Sequence, residues 1–236
     1  MNTLQFFDLG LSEYGVTWEK QESLMKGIID QKLLNQRLPE ADRTTTPGYL
    51  LFVEHPPVYT LGKSGEMHNL LLSSTQLAEK QVSFYKTNRG GDITFHGPGQ
   101  LVGYPILDLE NFGMGLRQYI YSIEEAVILT LAQYGIVGSR DPDATGVWLD
   151  TGLPTTRKIC AIGVKSSRHV TMHGFALNVN TDLAYFSYMH PCGIMDKGVT
   201  SMQQELGETV DFDQVKKTVL NNFSTIFDAK ISCSLP

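Results

Sequence analysis

Apolar residues recur at helical spacing in three stretches of the chain, with polar residues filling the positions between them. The predicted helices cover residues 18–34, 116–134 and 215–227. In the second stretch, apolar side chains return every three or four residues from Leu116 to Leu131, and Gly135 follows as a stop. In the third, Asp211 or Asp213 stands where a helix N-cap is expected. Each stretch therefore predicts an amphipathic helix with one buried face.

Shorter apolar runs predict strands. The run from Tyr49 to Glu54 is largely apolar and is stopped by the pair Pro56-Pro57. Ile93 to Phe95 is a short β-favouring segment between two glycine-rich turns. Further strand candidates are residues 146–149, 159–165 and 169–180. Residues 37–48, rich in Thr and ending in Pro-Gly, predict a loop.

Helices and strands intermix without a regular strand–helix–strand alternation. This order favours an α+β fold in which a sheet has helices packed on one side. A chain of 236 residues is long enough for one domain with a sizeable core, so we expect a single domain over residues 1–236. Hydrophobic residues make up 42% of the chain and charged residues 19%, which is typical of globular proteins and excludes a disordered chain.

No segment predicts membrane insertion or secretion. Apolar runs such as Tyr49–Val53 are far too short to cross a bilayer, and Met1–Gly10 lacks the basic and apolar regions of a signal peptide. The cysteines Cys160, Cys192 and Cys233 are odd in number and lack the spacing of a disulfide framework. Free thiols fit a reducing compartment, so we expect a cytoplasmic protein with no membrane partner.

The net charge of −6 makes nucleic acid an improbable partner, but the positive charges are unevenly distributed. Residues 151–181 contain no Asp or Glu. The basic residues and histidines of this window are Arg157, Lys158, Lys165, Arg168, His169 and His173. Such a window suits docking of an acidic partner, and it equally suits a solvated strand face.

A glycine-rich segment is the first candidate for chemistry. It runs Arg89-Gly90-Gly91-Asp92-Ile93-Thr94-Phe95-His96-Gly97-Pro98-Gly99-Gln100. Glycines beside an arginine and a histidine allow the backbone to lie against a ligand, with donors available for its oxygens. The segment lacks the Gly-Lys-Ser/Thr of a phosphate loop, and no helix pattern begins there as a dinucleotide fingerprint requires. On its own, the pattern is also compatible with a simple turn.

Cys192 is the candidate nucleophile. It stands between Pro191 and Gly193 in a predicted loop, where functional residues concentrate, and a thiolate both attacks thioesters and leaves well. Cys160 lies inside an apolar strand and fits a buried structural cysteine. Lys158 opens that strand, where it is either a solvated strand end or a group that lowers the pKa of a nearby thiol or accepts its proton.

Taken together, several segments resemble the lipoyl(octanoyl) transferases. They are Glu54–Gly62, Arg89–Gln100, Lys158–Val164, His173–Asn178 and Pro191–Gly193. Their order and spacing agree with that family over roughly residues 50–205. The resemblance implies a fold of the biotin/lipoate protein ligase type, an α+β single domain with a mixed sheet flanked by helices.

The resemblance also implies roles for individual residues. Cys192 would carry an acyl thioester, and Lys158 would tune that cysteine. The residues expected to line the acyl site are Arg89, Gly90, Gly91, Asp92, Ile93, Thr94, Phe95, His96, Ala161, Ile162, Gly163, Gly174, Phe175 and Ala176.

The implied reaction moves an octanoyl or lipoyl group from acyl carrier protein to a lysine of a lipoyl domain. The acceptors would be lipoyl domains of the E2 subunits of 2-oxoacid dehydrogenases and the glycine cleavage H protein. The reaction would be the first step of endogenous protein lipoylation. Because the donor is already a thioester, no ATP or other cofactor is expected. The six histidines are dispersed along the chain, so no metal site is expected either.

Three alternatives stay open at this point. An ATP-dependent lipoate or biotin ligase on the same fold would activate a free acid and would need no nucleophilic cysteine. A non-catalytic acyl-binding module would keep an apolar pocket but would have no reason to pair Cys192 with Lys158. A cysteine hydrolase would need a histidine base, for which His190 is close in the chain.

Overall fold

The helices lie close to the apolar repeats of the sequence. In the computed structural model, which describes residues 2–190 and 197–233, the helices are α1 (Tyr14–Asn35), α2 (Ser74–Glu79), α3 (Leu116–Gln133), α4 (Met202–Leu206) and α5 (Phe212–Ile226). The three predicted helices are confirmed as α1, α3 and α5, with α1 beginning at Tyr14. The Asp211 carboxylate caps α5 by accepting a hydrogen bond from the Gln214 amide at 3.0 Å.

The strands alternate irregularly with these helices. They are β1 (Asn2–Leu11), β2 (Gly48–Glu54), β3 (Val58–Leu61), β4 (Ser83–Lys86), β5 (Ile93–His96), β6 (Gln100–Ile106), β7 (Ser139–Asp141), β8 (Ala144–Leu149), β9 (Arg157–Ser167), β10 (Val170–Asn178), β11 (Gly198–Val199) and β12 (Ala229–Cys233). The predicted strands are confirmed as β2, β5, β8, β9 and β10. Pro56 and Pro57 end β2 as expected, but the chain then enters a second sheet at Val58, which the pattern does not predict.

Among the described residues, nine strands form one mixed sheet in the order β12-β1-β2-β6-β10-β9-β8-β7, with β11 paired to β9. The pairs β12–β1, β1–β2 and β11–β9 are parallel, and the other neighbours are antiparallel. Strands β4, β3 and β5 form a separate small sheet. The α+β class with a mixed sheet is therefore confirmed.

Helices cover both faces of the large sheet, so the expectation of helices on one side is wrong. Helices α3 and α5 pack on one face, where Ile123, Val127 and Phe223 are fully buried in the main core. Helix α1 covers part of the other face, with Met25 and Ile28 packed on β6 and β10. A sheet with apolar side chains on both faces is stable only when other elements pack on both faces, and α1 forms the second layer.

The small sheet and α1 together leave a gap above strands β6, β10, β9 and β8. Side chains of β5, α1 and the large sheet all line this gap. In the part of the chain that the structure describes, no helix is long and apolar enough to cross a membrane.

Candidate active site

A cavity of about 540 Å³ lies between the small sheet and strands β6, β10, β9 and β8 of the large sheet. Its floor is made by strands β9 and β10, where the register pairs Ala161 with Ala176 and Gly163 with Gly174. Strand β6 extends the floor with Val102, the partner of Ala176. Side chains two residues apart share one face of a strand, so these small residues form a smooth groove along the sheet. An extended apolar chain can lie flat in it.

The glycine-rich loop crosses above this groove. The Gly90 amide donates to the Val164 carbonyl at 2.9 Å, and a side chain at Gly163 would meet the Gly90 oxygen at 3.0 Å. Gly163 therefore lets the loop approach the strand closely. The Arg89 guanidinium is buried and donates to the Thr60 carbonyl at 2.6 Å and to the Gly90 carbonyl at 3.0 Å.

Lys158 reaches the cavity because β9 carries an extra residue opposite β8. Val147 pairs with Cys160, whereas the next residue, Trp148, pairs with Lys158, which leaves Ile159 without a partner on β8. A bulge of this kind interrupts the alternation of the two faces. Ile159 and Cys160 both lie in the main core, and Lys158 faces the cavity. Without the bulge, Lys158 would share the core face with Cys160.

The end of the cavity at Lys158, which we call the lysine end, carries two ammonium groups around one indole. Nζ of Lys158 lies 4.4 Å from the centroid of the Trp148 ring, and Nζ of Lys197 lies 5.0 Å from it. Lys197 also forms an ion pair with Asp141. Burial lowers the pKa of Lys158 to about 8, and the nearby Lys197 charge acts in the same direction. Lys158 can therefore exchange protons near neutral pH.

The opposite end, which we call the tyrosine end, is formed by buried polar aromatic residues. The Tyr104 hydroxyl is 2.8 Å from Nε2 of His55, and Nδ1 of His55 is 2.7 Å from the Ser12 carbonyl. Tyr14, the first residue of α1, stacks on the His96 ring at 6.0 Å between centroids. Tyr14 and Tyr104 line the cavity and are only 2% and 3% exposed.

The histidines of the tyrosine end are neutral. Burial lowers the pKa of His55 to about 4 and that of His96 to about 3. His173 belongs to the same group, because burial lowers its pKa to about 3. Its Nε2 lies 2.8 Å from the Asn88 side-chain oxygen, so His173 ties β10 to the residue before Arg89. His173 also holds the left-handed φ of 58°, which is unusual for a residue inside a strand.

Most residues predicted for the site come together around this cavity. Those that line it are Arg89, Gly91, Asp92, Ile93, Thr94, His96, Lys158, Ala161, Ile162, Gly163, Gly174, Phe175 and Ala176. Two others lie behind the lining. Gly90 contributes its backbone to the loop contact with β9, and Phe95 stacks on Tyr185 at 4.4 Å in the core of the small sheet.

The cysteines separate into different settings. Cys192 lies outside the described residues. Two described residues close to its segment in the chain, Met189 and Lys197, line the cavity. Cys160 is fully buried in the main core, where burial raises the pKa of its thiol, so it is the structural cysteine that its apolar strand predicts.

Other lining residues carry no sequence signal that singles them out. Tyr14, Tyr104, Trp148 and Lys197 are among them. A tyrosine at the start of a helix or within an apolar strand reads as ordinary core, and only the packing of the two sheets turns these side chains toward one space.

The acid-free window does not form one basic face. Arg157 pairs with Glu205 at 2.5 Å and with Asp150, so its charge is neutralised. Lys158 and His173 turn inward to the cavity. The positive charge that remains near the surface is at half-buried Lys165 and exposed Arg168, at the far end of the β9–β10 hairpin.

Comparison with known proteins identifies the family. Residues 25–224 match the family model described as the lipoyl protein ligase A/B catalytic domain. The octanoyltransferase of Flavobacterium psychrophilum is 56% identical over 230 residues, which cover 97% of this chain and 98% of that protein. This chain belongs to the octanoyltransferases of that family. It is 57% identical to the octanoyltransferase of Flavobacterium johnsoniae over 229 residues, covering 97% and 98% of the two chains.

Solved structures agree on the fold of this family. The archaeal bipartite lipoate protein ligase from Thermoplasma acidophilum, studied with its E2 lipoyl domain, superimposes with a TM-score of 0.70. The match covers 99% of this chain and 87% of that one at 14% identity, so it speaks for the fold alone. As a member of the octanoyltransferases, the protein is an acyltransferase. Within the described residues, no group of three or more His, Cys, Asp or Glu side chains is placed to hold a metal ion.

Proposed function

We propose that this protein transfers an octanoyl group from acyl carrier protein to a lysine of a lipoyl domain, through a thioester on Cys192. The observation that carries the proposal is the small-residue groove of Ala161, Gly163, Gly174 and Ala176, which leads to the half-buried Lys158. An apolar groove accepts a hydrocarbon chain, and a lysine with a lowered pKa at its end can move protons at the reacting carbonyl. The identity of the acyl group as octanoyl is proposed from the similarity to octanoyltransferases.

The first half of the reaction forms the acyl-enzyme. The Cys192 thiolate attacks the thioester carbonyl of the donor, a new carbon–sulfur bond forms, and the bond to the carrier's thiol breaks. The carrier leaves as a thiol after it takes up the proton that Cys192 lost. Lys158 is the group proposed to hold that proton between the two sulfur atoms, because its lowered pKa suits both uptake and release.

The second half releases the product. The ε-amine of the acceptor lysine attacks the Cys192 thioester, an amide bond forms, and the Cys192 sulfur leaves. The amine loses one proton as it becomes an amide, and Lys158 is again the proposed acceptor. Because the acyl group arrives as a thioester, the proposed route needs no nucleotide.

The neighbourhood of Cys192 in the chain supports this pairing with Lys158. Met189 lies three positions before Cys192, and three residues span at most about 11 Å of chain. On the other side, Gly198 and Val199 pair directly with Arg157 and Lys158 as strand β11. The described chain on both sides of Cys192 therefore borders the cavity, and strand β11 does so at the lysine end. We propose the same single domain over residues 1–236 and a cytoplasmic location, where the thiol stays reduced.

The test is the mass of the intact protein after incubation with octanoyl-acyl carrier protein alone. We expect the mass of one octanoyl group to be added, removed by hydroxylamine, and lost in Cys192→Ala. Cys160→Ala is the matched control, because its buried thiol should leave the label unchanged. Adding a lipoyl domain should then discharge the enzyme without ATP. Label on Cys160, or transfer that depends on ATP and free octanoate, would replace this proposal with another.

A further inference from the structure

The tyrosine end of the cavity lies where the acyl chain would end. We infer that Tyr14 and Tyr104 are specificity-determining residues that set the upper length of the acyl chain and disfavour an apolar chain end beyond it. This inference rests on the proposed function, because it assumes that the reacting carbonyl lies at the lysine end. Tyr14 and Tyr104 lie outside the sequence segments that resemble the family, and they take no part in the proposed reaction steps.

The strand register supplies the length. Gln100 and Tyr104 both line the cavity from β6, and the four residue steps between them cover about 13 Å at ~3.3 Å per residue. An extended octanoyl chain spans about 9 Å, because each of its seven carbon–carbon bonds advances the zigzag by about 1.3 Å. A chain that starts level with Gln100 therefore passes Val102 and ends in van der Waals contact with the Tyr104 level. Four more methylenes would add about 5 Å and run into that level.

The end of the cavity is rigid. The Tyr104 hydroxyl is held by His55, which is itself held by the Ser12 carbonyl, so the Tyr104 ring cannot swing away without breaking buried hydrogen bonds. Tyr14 is wedged between the rings of His96 and Tyr85, at 6.0 and 5.2 Å between centroids. A longer chain would have to displace packed aromatic rings rather than flexible side chains.

The end of the cavity is also polar. The Tyr14 hydroxyl makes no hydrogen bond to any of the described residues, although Tyr14 is only 2% exposed. Its electrostatic neighbours include the buried Arg89 guanidinium. A methyl group in contact with the Tyr14 hydroxyl and the Arg89 guanidinium would displace water from them without offering a hydrogen bond in return. Such desolvation of polar groups is unfavourable. A chain that ends short of them avoids this cost, whereas a chain that ends in a hydroxyl could bond to Tyr14.

The experiment compares acyl donors of different length in the full-length enzyme. Acyl transfer from octanoyl-, decanoyl- and dodecanoyl-acyl carrier protein is measured for the wild type, Tyr14→Ala and Tyr104→Leu. We expect the decanoyl-to-octanoyl ratio of kcat/KM to rise about tenfold or more in either variant, since each accommodated methylene is worth at least that order. The wild type should favour octanoyl.

Tyr14→Phe separates polarity from size. It keeps the ring and removes only the hydroxyl, so it should ease decanoyl transfer by a small factor. It should also lower the relative rate of a donor whose octanoyl chain carries a terminal hydroxyl. A loss of folding in Tyr14→Ala would not end the test, because Tyr14→Phe and its hydroxyl-bearing donor remain.

Tyr119→Ala is the matched control. Tyr119 is equally buried but lies on the other face of the sheet, with its hydroxyl bonded to the Pro105 carbonyl at 3.0 Å. It should destabilise the protein while leaving the length profile unchanged. Unchanged profiles in Tyr14→Ala, Tyr104→Leu and Tyr14→Phe would overturn the inference, provided that the wild type transfers octanoyl. A wild type that transfers no acyl group would instead count against the proposed function.

Discussion

The two ends of the cavity both combine aromatic rings with basic side chains but are built in opposite ways. At the lysine end, Lys158 and Lys197 are cations that share the Trp148 ring, and Lys197 keeps about a third of its side chain exposed, at 29%. At the tyrosine end, Tyr14 and His96 are almost fully buried, and burial keeps the histidine neutral. Burial lowers the pKa of Lys158 to about 8, within reach of neutral pH, and lowers that of His96 to about 3.

This difference shows how one cavity can support proton transfer at one end and discriminate between acyl chain lengths at the other. Partial access to water leaves the lysine end free to exchange protons with a reacting group. Full burial fixes the rings of the tyrosine end, so their shape and polarity can discriminate between chain ends.

The largest effect is expected at Lys158. Lys158→Ala should lower the rate of acylation about 10²- to 10⁴-fold while the protein stays folded, as for loss of a proton-transferring group. Lys158→Arg should restore little, because arginine supplies charge but keeps its proton. The base form of Lys158 is neutral, so wild-type activity should rise with pH through about 8 and level off above it.

Alkylation of Cys192 by iodoacetamide over a range of pH measures the same coupling without a protein substrate. Wild-type Cys192 should titrate below the free thiol value of about 8.5, and Lys158→Ala should shift this titration upward. Lys165→Ala is the matched control, because it removes a lysine from the same strand that does not line the cavity. Coincident curves for the wild type and Lys158→Ala, together with normal transfer, would make Lys158 a bystander.

The next effect is on stability in acid, and it belongs to the tyrosine end. The pKa of His55 is lowered to about 4 in the fold, whereas an unfolded histidine titrates near about 6.5. Below about pH 6.5, His55 therefore takes up a proton in the unfolded chain but stays neutral in the folded protein. The contribution of these histidines to the free energy of unfolding should be constant above that pH. It should fall as the pH drops toward about 4 for His55, with His96 and His173 extending the loss to about pH 3.

Urea unfolding at pH 7 and pH 5 measures this loss. His55→Asn should lower stability at pH 7, because it breaks the hydrogen bond to Tyr104, but it should reduce the difference between the two pH values. Each unit of pKa shift corresponds to about 1.4 kcal/mol. His68→Asn is the control, since the His68 side chain is 71% exposed. An equal pH dependence in His55→Asn and the wild type would contradict the neutral state assigned to His55.

The contrast between the ends also explains what the sequence could and could not predict. The groove floor is local in the chain: Ala161 and Gly163 sit at strand spacing, as do Gly174 and Ala176, so the motif segments already contain it. Its partners are not local. Tyr14 reaches the cavity from α1, and Lys158 faces it only because of the bulge at Ile159. Neither a long-range approach nor a one-residue shift of register appears in hydrophobic periodicity.

The basic window shows the same limit. The acid-free window of residues 151–181 suits either docking of an acidic partner or a solvated strand face, but Glu205 and Asp150, from outside the window, neutralise Arg157. Ion pairs between distant parts of the chain cannot be read from local composition. What remains of the window is the turn at the far end of the β9–β10 hairpin, beyond the tyrosine end.

The smallest effect is expected at that turn. Ser167 pairs with Val170, so Arg168 and His169 form a two-residue hairpin turn, and their φ angles of 51° and 63° are both left-handed. Such turns favour Asn-Gly, because other residues resist a positive φ. The double variant Arg168→Asn, His169→Gly should therefore raise the free energy of unfolding by about 1 kcal/mol, as measured by urea denaturation.

We propose that Arg168 is kept in this strained position to dock an acidic protein substrate. If so, the more stable variant should have a higher KM for that substrate, and the increase should shrink as salt screens the charges. His169→Gly alone keeps the arginine, so it should gain stability and leave KM unchanged. A double variant with unchanged KM at low salt would mean that the turn is only a solvated surface.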